Sequence, residues 1–382
     1  MNIGIHDLDV ATTHFVLDLD EMAEALGIDP AKYEKGLGQD EFSVPAPDED
    51  IVTMAATAAS RLLSRHDASK IRMVLFATES SIDQSKAAGV FVHGLLGLPQ
   101  AVRTVEFKQA CYSGTAALQT AVNHVARYPE DQVLVIASDV ARYAIDSGGE
   151  PTQGAGAVAM LIAADPNLVV IEPGSGVFTA DVNDFWRPND SSTPYVEGKL
   201  SLDAYMNAAT GSWDDLVARR GLDITDIDRF LHHQPFTKMA RKAHARLGEH
   251  VGADLGPELI EESMTYNRRI GNSYTASLFF GLAAQLHGNP DLAGKRLGLF
   301  SYGSGSVAEF FTGIVQDGYT DHIHPETVRE ALDSRVPLTF AQYRELHASY
   351  IGASDNVEVP AVTAAPFRFT GITDHVRHYE AR

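Results

Sequence analysis

One cysteine, Cys111, stands in the stretch Glu106-Phe107-Lys108-Gln109-Ala110-Cys111-Tyr112-Ser113-Gly114-Thr115 of a 382-residue chain that holds no other. Ahead of it Val102, Val105 and Phe107 are apolar among polar residues and predict a short strand. Behind it Ala116, Ala117, Leu118, Ala121, Val122 and Val125 recur at helical spacing. A thiol where a strand ends and a helix begins meets unpaired amides and the positive end of the helix dipole, which favour a thiolate. Such a thiolate forms thioesters readily. The stretch by itself is read equally well as a small buried apolar side chain, the usual state of a lone intracellular cysteine.

Three other residues offer matching chemistry. Glu79 falls just past the carboxyl end of the apolar run Ile71-Arg72-Met73-Val74-Leu75-Phe76-Ala77, where open α/β sheets place ligand sites. A carboxylate there is a base for a proton beside a carbonyl, although a residue that merely begins a loop looks the same. His233 ends the strand-like Leu231-His232-His233-Gln234-Pro235-Phe236 in the same way. Asn272, in Gly271-Asn272-Ser273-Tyr274-Thr275, adds an amide. Soon after His233, Lys238, Arg241, Lys242 and Arg246 share one broad helix face. A solvated face is the common explanation, but in so acidic a chain an anion-binding face, suited to phosphates at the mouth of a site, is the better reading.

The formal net charge of -21 excludes non-specific nucleic-acid binding, which needs basic surface. One cysteine rules out an intrachain disulfide framework and fits a reducing compartment. No signal peptide or membrane-length apolar run is present in the sequence, so a cytoplasmic protein is expected. The histidines of the tail, His322, His324, His375 and His378, are joined by no cysteine or carboxylate cluster and are read as surface residues, not as a metal site.

The elements that must position these groups alternate. Helices are expected from about Asp18 to Leu26, over Ile51–Leu63 and over Ala87–Leu96, with buried strands at Ile71–Ala77 and Gln132–Ser138. The glycine-dense Ser147–Ala157 contains no Gly-Lys-Ser/Thr, so it is read as close backbone packing at a site wall and not as a phosphate loop. Residues from Glu172 to about Asp203 read as an irregular connection. A second alternating half follows, with a strand at Arg296–Phe300 running into a glycine-serine turn, and then a helical, mixed tail after Gly318. Such alternation predicts a parallel-rich α/β protein with internal duplication, divided here as residues 1–170, carrying the cysteine, and 171–382, carrying the histidine and the basic helix.

Taken in order, Gly36-Leu37-Gly38-Gln39, Ala77-Thr78-Glu79-Ser80, Ala110-Cys111-Tyr112, Ser147-Gly148-Gly149-Glu150-Pro151-Thr152, Asp184-Phe185-Trp186-Arg187-Pro188, Pro235-Phe236-Thr237-Lys238-Met239, Gly271-Asn272 and Phe300-Ser301-Tyr302-Gly303-Ser304-Gly305-Ser306 resemble, nearly end to end, the bacterial mevalonate-pathway 3-hydroxy-3-methylglutaryl-CoA synthases of the thiolase-like superfamily. The resemblance implies a five-layered α/β/α/β/α fold from two similar halves. It implies that acetyl-CoA and acetoacetyl-CoA are condensed to hydroxymethylglutaryl-CoA by a homodimer without metal or organic cofactor. By the same resemblance Cys111 would carry the acetyl group, Glu79 would remove a methyl proton, and His233 would polarise and protonate the ketone. Backbone amides at Cys111 and in the Ser304 turn would hold the thioester oxygen. Thr152, Ser201, Asn272 and Ser304 match ligand-contacting positions, Lys238 and Lys242 match those meeting the CoA portion, and Asp29 and Pro30 match a position at the pantetheine end. Two departures stand out. His232 precedes His233 and Gln234 follows it, which leaves His232 a rival, and Ser113 replaces a glycine or alanine, where it is expected to tune the pocket. A fatty-acid-initiating condensing enzyme, a synthase paralogue acting on carrier proteins, a cysteine hydrolase and a non-catalytic acyl-CoA binder are the alternatives. Glu79 argues against the first, and Lys238 and Lys242 against the second.

Overall fold

The computed structural model describes residues 1–351 and 356–382. Its first half runs β1 (Ile3–Ala11), β2 (Phe15–Asp18), α1 (Leu19–Leu26), α2 (Ala31–Leu37), β3 (Glu41–Val44), α3 (Ile51–Leu63), β4 (Ile71–Ala77), α4 (Ala88–Leu95), β5 (Arg103–Phe107), α5 (Ser113–Arg127), β6 (Gln132–Ala141) and β7 (Gly154–Ala164). The helix starts are written in the sequence. Asp18 caps α1 by accepting the Asp20 N–H, and Asp50 forms a capping box with Thr53 at the start of α3.

The second half contains β8 (Val169–Ile171), β9 (Gly176–Thr179), β10 (Phe185–Trp186), β11 (Tyr195–Val196), α6 (Gly198–Arg220), β12 (Arg229–His232), α7 (Thr237–Val251), α8 (Asn267–Ile270), α9 (Ser277–Gly288), β13 (Arg296–Gly303) and β14 (Val307–Val315). It closes with α10 (Pro325–Asp333), β15 (Val336–Pro337), α11 (Phe340–Ala348), β16 (Val357–Glu358), β17 (Phe367–Thr373) and β18 (Val376–Ala381). Two expectations change here. The stretch after Glu172 is not an irregular connection: it holds three short strands and the start of the 23-residue α6. The tail is helical only as far as α11 and then forms a three-stranded sheet of β16, β17 and β18.

The large sheet has the order β12-β13-β14-β8-β1-β7-β6-β4-β5, with β9 added on β14. It is mixed, not parallel-rich. β4 runs parallel to β5 and β6, and β12 to β13, but the central pairs are antiparallel. For one of these pairs the reason is the length of the connection. A parallel neighbour needs a crossover, whereas the 304–306 turn between β13 and β14 is too short for one.

Strand alternation sorts the side chains into layers. Val74, Phe76, Leu134 and Ile136 point to α3 and α4, while Met73, Leu75, Val133 and Val135 point to α5 and α9. In the second half Leu231, Leu299 and Phe311 face that same central helix pair, and Phe230, Phe300 and Phe310 face α6 and α7. The stack is therefore helix, sheet, helix, sheet, helix, the thiolase-like five-layered arrangement. β8 joins the two sheets by pairing with β1 on one side and β14 on the other. Gly4 permits this, because a Cβ there would sit 2.0 Å from the Val169 carbonyl oxygen.

Candidate active site

Glu79 lies two residues past the end of β4, and its backbone is fixed from β6. Asp139 Oδ1 accepts the Thr78 hydroxyl at 2.7 Å, the Glu79 N–H at 2.8 Å, the Ser80 N–H at 2.9 Å and the Ser80 hydroxyl at 2.6 Å. Its Oδ2 accepts the N–H of Thr275 at 3.0 Å and also the Thr275 hydroxyl. One fully buried carboxylate thus ties β4, β6 and the turn before α9 together.

Cys111 sits in a tight turn between β5 and α5. The Tyr112 N–H reaches the Gln109 carbonyl at 3.1 Å and the Ser113 N–H reaches that of Ala110 at 3.2 Å, with Ala110 itself at φ +44°. Ser113, expected to tune the pocket, acts on the turn. It is fully buried, its hydroxyl donating to the Ala110 carbonyl and accepting the Gln109 N–H, so it knits the turn that presents the sulfur. Gly114 lets α5 approach α9, since a Cβ there would meet the Thr275 carbonyl at 2.7 Å.

The two reactive groups meet: Cys111 Sγ is 3.0 Å from Glu79 Oε2. Both keep some accessible surface but lie deep between the layers, where a charge is poorly solvated. Burial pushes the Glu79 carboxyl up to about 8, with Asp139 adding to the rise and the thiol hydrogen bond opposing it. Burial first and Glu79 second raise the Cys111 thiol well above its ordinary value. The helix-start argument for a resting thiolate is therefore overturned by desolvation and a neighbouring carboxyl. Before substrate arrives the sulfur is a thiol, and the pair titrates as a unit.

An aromatic wall closes this space. Tyr143, Phe185 and Tyr274 meet edge to face, with centroids 5.9 to 6.3 Å apart, around Cys111. The Asn272 amide donates to the Tyr143 hydroxyl at 3.0 Å, and its N–H to the Thr152 carbonyl at 3.0 Å. Thr152 is thus beside Asn272, with its own hydroxyl donated to Gly149. The glycine-dense segment does pack closely, as expected, for a Cβ on Gly154 would strike Ile270 and Asn272 backbone within 2.7 Å. From the second half, Ser304 and its turn fold onto the Cys111 turn, with the Gln109 side-chain amide 3.2 Å from the Ser304 carbonyl. Asp184 supports that turn by accepting the Gly305 N–H at 2.8 Å and the Tyr302 hydroxyl at 2.7 Å.

His233 follows β12. Its N–H bonds to the Phe300 carbonyl at 2.8 Å and its carbonyl accepts the Tyr205 hydroxyl at 2.6 Å. Burial lowers its imidazole to about 3, so the ring is neutral. His232 points the other way, as strand alternation requires, with Nε2 3.4 Å from His244 Nδ1 in the packing between β12 and α7. Gln234 is buried too and donates to the Ser263 carbonyl at 3.0 Å.

Asp29, Pro30, Ser201, Lys238 and Lys242 do not touch Cys111. They occupy the outer side, where α2, α6 and α7 meet. Asp29 and Pro30 are exposed at the start of α2, and Lys238 reaches back from α7 to the Lys35 carbonyl at 2.6 Å. Lys242 lies over the Phe236 ring and lines a groove with Arg246 and the Leu202, Asp203, Met206 and Asn207 side chains of α6. The four-cation face is less uniform than expected, because Arg241 turns to Glu261 at 2.8 Å. Sequence reasoning missed Asp139, Tyr143, Asp184 and Tyr205. Asp139 had a readable signal, an acid ending the apolar run Val133–Ser138 just as Glu79 ends its own.

The comparisons agree with this geometry. Residues 1–167 match the model of the hydroxymethylglutaryl-coenzyme A synthase N-terminal family, and residues 169–250 and 249–350 match the C-terminal one. The chain belongs to the hydroxymethylglutaryl-CoA synthase family. It is similar to the hydroxymethylglutaryl-CoA synthase of Enterococcus faecalis, 43% identical over 383 residues that cover 99% of this chain and 100% of that one. A crystal structure of a hydroxymethylglutaryl-CoA synthase complexed with CoA superposes with a TM-score of 0.95 at 38% identity, covering all of both chains. The Curacin pathway hydroxymethylglutaryl synthase in complex with an acetyl donor carrier protein gives 0.95 at 28% identity, also over both whole chains. Like its relatives, the chain is a condensing enzyme of the acyltransferase type.

Proposed function

We propose that the protein condenses acetyl-CoA with acetoacetyl-CoA and water to give 3-hydroxy-3-methylglutaryl-CoA and CoA, the hydroxymethylglutaryl-CoA-forming step of the mevalonate route. The observation that carries this reading is the 3.0 Å contact of a thiol with a carboxyl whose proton affinity burial has raised to about 8. Such a carboxyl can take a proton from the thiol as it attacks acetyl-CoA. Once it has passed that proton to the departing CoA thiolate, it can take one from the methyl group of the resulting thioester.

In this reading Cys111 becomes acetylated and releases CoA. Glu79 then removes a methyl proton, and the enolate carbon attacks the ketone of acetoacetyl-CoA. The amides of Cys111 and Ser304 hold the thioester oxygen. His233, neutral in the resting site, polarises the ketone through its ring N–H and protonates the new alkoxide. The methyl proton taken by Glu79 replaces the one His233 gives, which leaves Glu79 free to act as a base again in the hydrolysis. Water cleaves the Cys111 thioester. Lys238 and Lys242 meet the CoA phosphates at the outer mouth, Asp29 and Pro30 border the pantetheine, and Thr152, Ser201 and Asn272 contact ligand directly or through neighbours. Residues 1–170 and 171–382 act as two halves around this centre, with no metal or organic cofactor called for. We also infer a cytoplasmic homodimer. The outer edge of β5 supports the dimer, because no described strand pairs with that edge and Val105 is 42% exposed.

Intact-protein mass spectrometry tests the reading. Acetyl-CoA should add one acetyl group at Cys111, and acetoacetyl-CoA should discharge it into hydroxymethylglutaryl-CoA. An adduct that ignores acetoacetyl-CoA and transfers only to a carrier-bound acceptor would assign the chain to the carrier-protein branch instead. Absence of an adduct would remove Cys111 as the nucleophile.

A further inference from the structure

Glu79 borders a second space. A cavity of about 300 Å³ is lined by Glu79 together with Arg142, Arg187, Leu346, His347 and Tyr350. It shares Phe185 and Tyr274 with the aromatic wall, but Cys111, His233, Asn272, Ser304, Lys238 and Lys242 do not line it. That is large enough to hold several waters. Its outer lining reaches the surface, with Tyr350 55% exposed and Arg187 exposed, on the side formed by α11 and the loop after β10. The α2/α6/α7 mouth contributes none of its residues.

The proposed chemistry makes such a space useful. In its last step water attacks the carbonyl carbon of the Cys111 thioester, the C–S bond breaks, and the sulfur leaves with the electron pair. The products are a carboxylate, the Cys111 thiol and one net proton, which Glu79 is placed to accept and must then shed. At that moment the pantetheine arm of the product occupies the outer mouth, so water and proton need another route.

We propose that this cavity is a separate water and proton port for Glu79, feeding hydrolysis of the Cys111 thioester while the CoA side of the site is filled; it rests on the functional reading above. The port explains why a deeply placed carboxyl keeps accessible surface. It also assigns work to α11 and the loop after β10, which carry none of the residues that react.

Filling the port separates its role from that of the site. Leu346→Trp narrows it from α11, and Ser192→Trp narrows it from an exposed loop position where unfolding is not a concern. Rapid-quench mass spectrometry would follow two rates in the full-length enzyme: acetylation of Cys111 by acetyl-CoA, which needs no water, and hydrolysis of the acyl-enzyme. Both variants should acetylate within about twofold of the wild type yet hydrolyse about tenfold more slowly, so that acyl-enzyme accumulates at steady state. Tyr350→Ala, which widens the outlet, should not slow hydrolysis. Normal hydrolysis in Ser192→Trp and Leu346→Trp, or equal slowing of both steps, overturns the port. If Leu346→Trp fails to fold by circular dichroism, Ser192→Trp decides. A wild-type protein that takes up no acetyl group would overturn the functional reading itself.

Discussion

Asp139 Oδ1 accepts the backbone N–H of Glu79 at 2.8 Å while its Oδ2 holds Thr275 across the site, so one side chain from β6 fixes the backbone of Glu79 after β4. Because all of its partners are donors, an amide in its place would set N–H against N–H or O–H. Asp139→Asn is expected to cost about 2–4 kcal/mol of stability, read by urea denaturation. It should slow condensation more than acetylation in single-turnover assays, since it displaces Glu79 more than Cys111.

Burial raises the Glu79 carboxyl from 4.5 to about 8, which fixes the sign of a pH effect on stability. The folded protein holds this proton more tightly than the unfolded chain does. The resulting stabilisation is complete below about pH 4.5 and is lost as the pH climbs through about 8. Glu79→Gln has no proton to lose. Its melting temperature relative to the wild type should therefore rise between pH 5 and pH 8.5, and it should still accept acetyl on Cys111, more slowly for want of a carboxylate to take the thiol proton, but fail to condense. A difference in melting temperature that stays flat with pH would contradict the raised carboxyl.

Lys242 lies exposed on α7 and is free of the carboxylate pairing that occupies Arg241. Lys242→Ala should raise KM for acetoacetyl-CoA about three- to tenfold with kcat little changed, the loss of roughly 1 kcal/mol of charge-assisted contact to phosphate. The penalty should shrink at high salt. Arg241→Ala, which breaks a surface pair with Glu261, should change KM far less.

Arg335 is buried, yet every arm has a partner: Glu41, Ser43, and the Leu332 and Arg269 carbonyls. It pins the end of α10 to β3 and α8. Arg335→Ala leaves Glu41 to Arg269 alone and opens several carbonyls. It should cost about 3 kcal/mol in chemical denaturation, while Cys111 in the protein that remains folded still accepts acetyl.

The parts of the site legible in the sequence were those set by short-range pattern. An apolar run that stops at Glu79, a cysteine before a helical period, and a histidine two residues before Pro235 all mark sheet ends. What stayed hidden depended on partners far along the chain. Asp139 looks like any acid after a strand until Thr78, Ser80 and Thr275 converge on it. Ser113 reads as a pocket residue until its hydroxyl is seen to close its own turn. The thiolate expectation failed because a helix-end field acts on a half-solvated group, whereas Cys111 is deep and faces Glu79. α6 escaped notice because its buried face is built from small and polar residues, Ala204, Ala208, Ala209 and Ser212, with Tyr205, Trp213 and Leu216 spaced among them. The antiparallel centre of the sheet was equally invisible, since β1 pairs with β7 and β8 across a long sequence separation that no local pattern marks.

Three residues, Val169 to Ile171, bridge β1 and β14 with main-chain bonds on both flanks. That bridge ties the halves together through the main chain. While it stays paired the halves have no seam to gape along, so the long thioesters are expected to thread in from the surface. The same bridge makes the halves a single melting unit: neither sheet keeps its inner edge covered if the other comes undone.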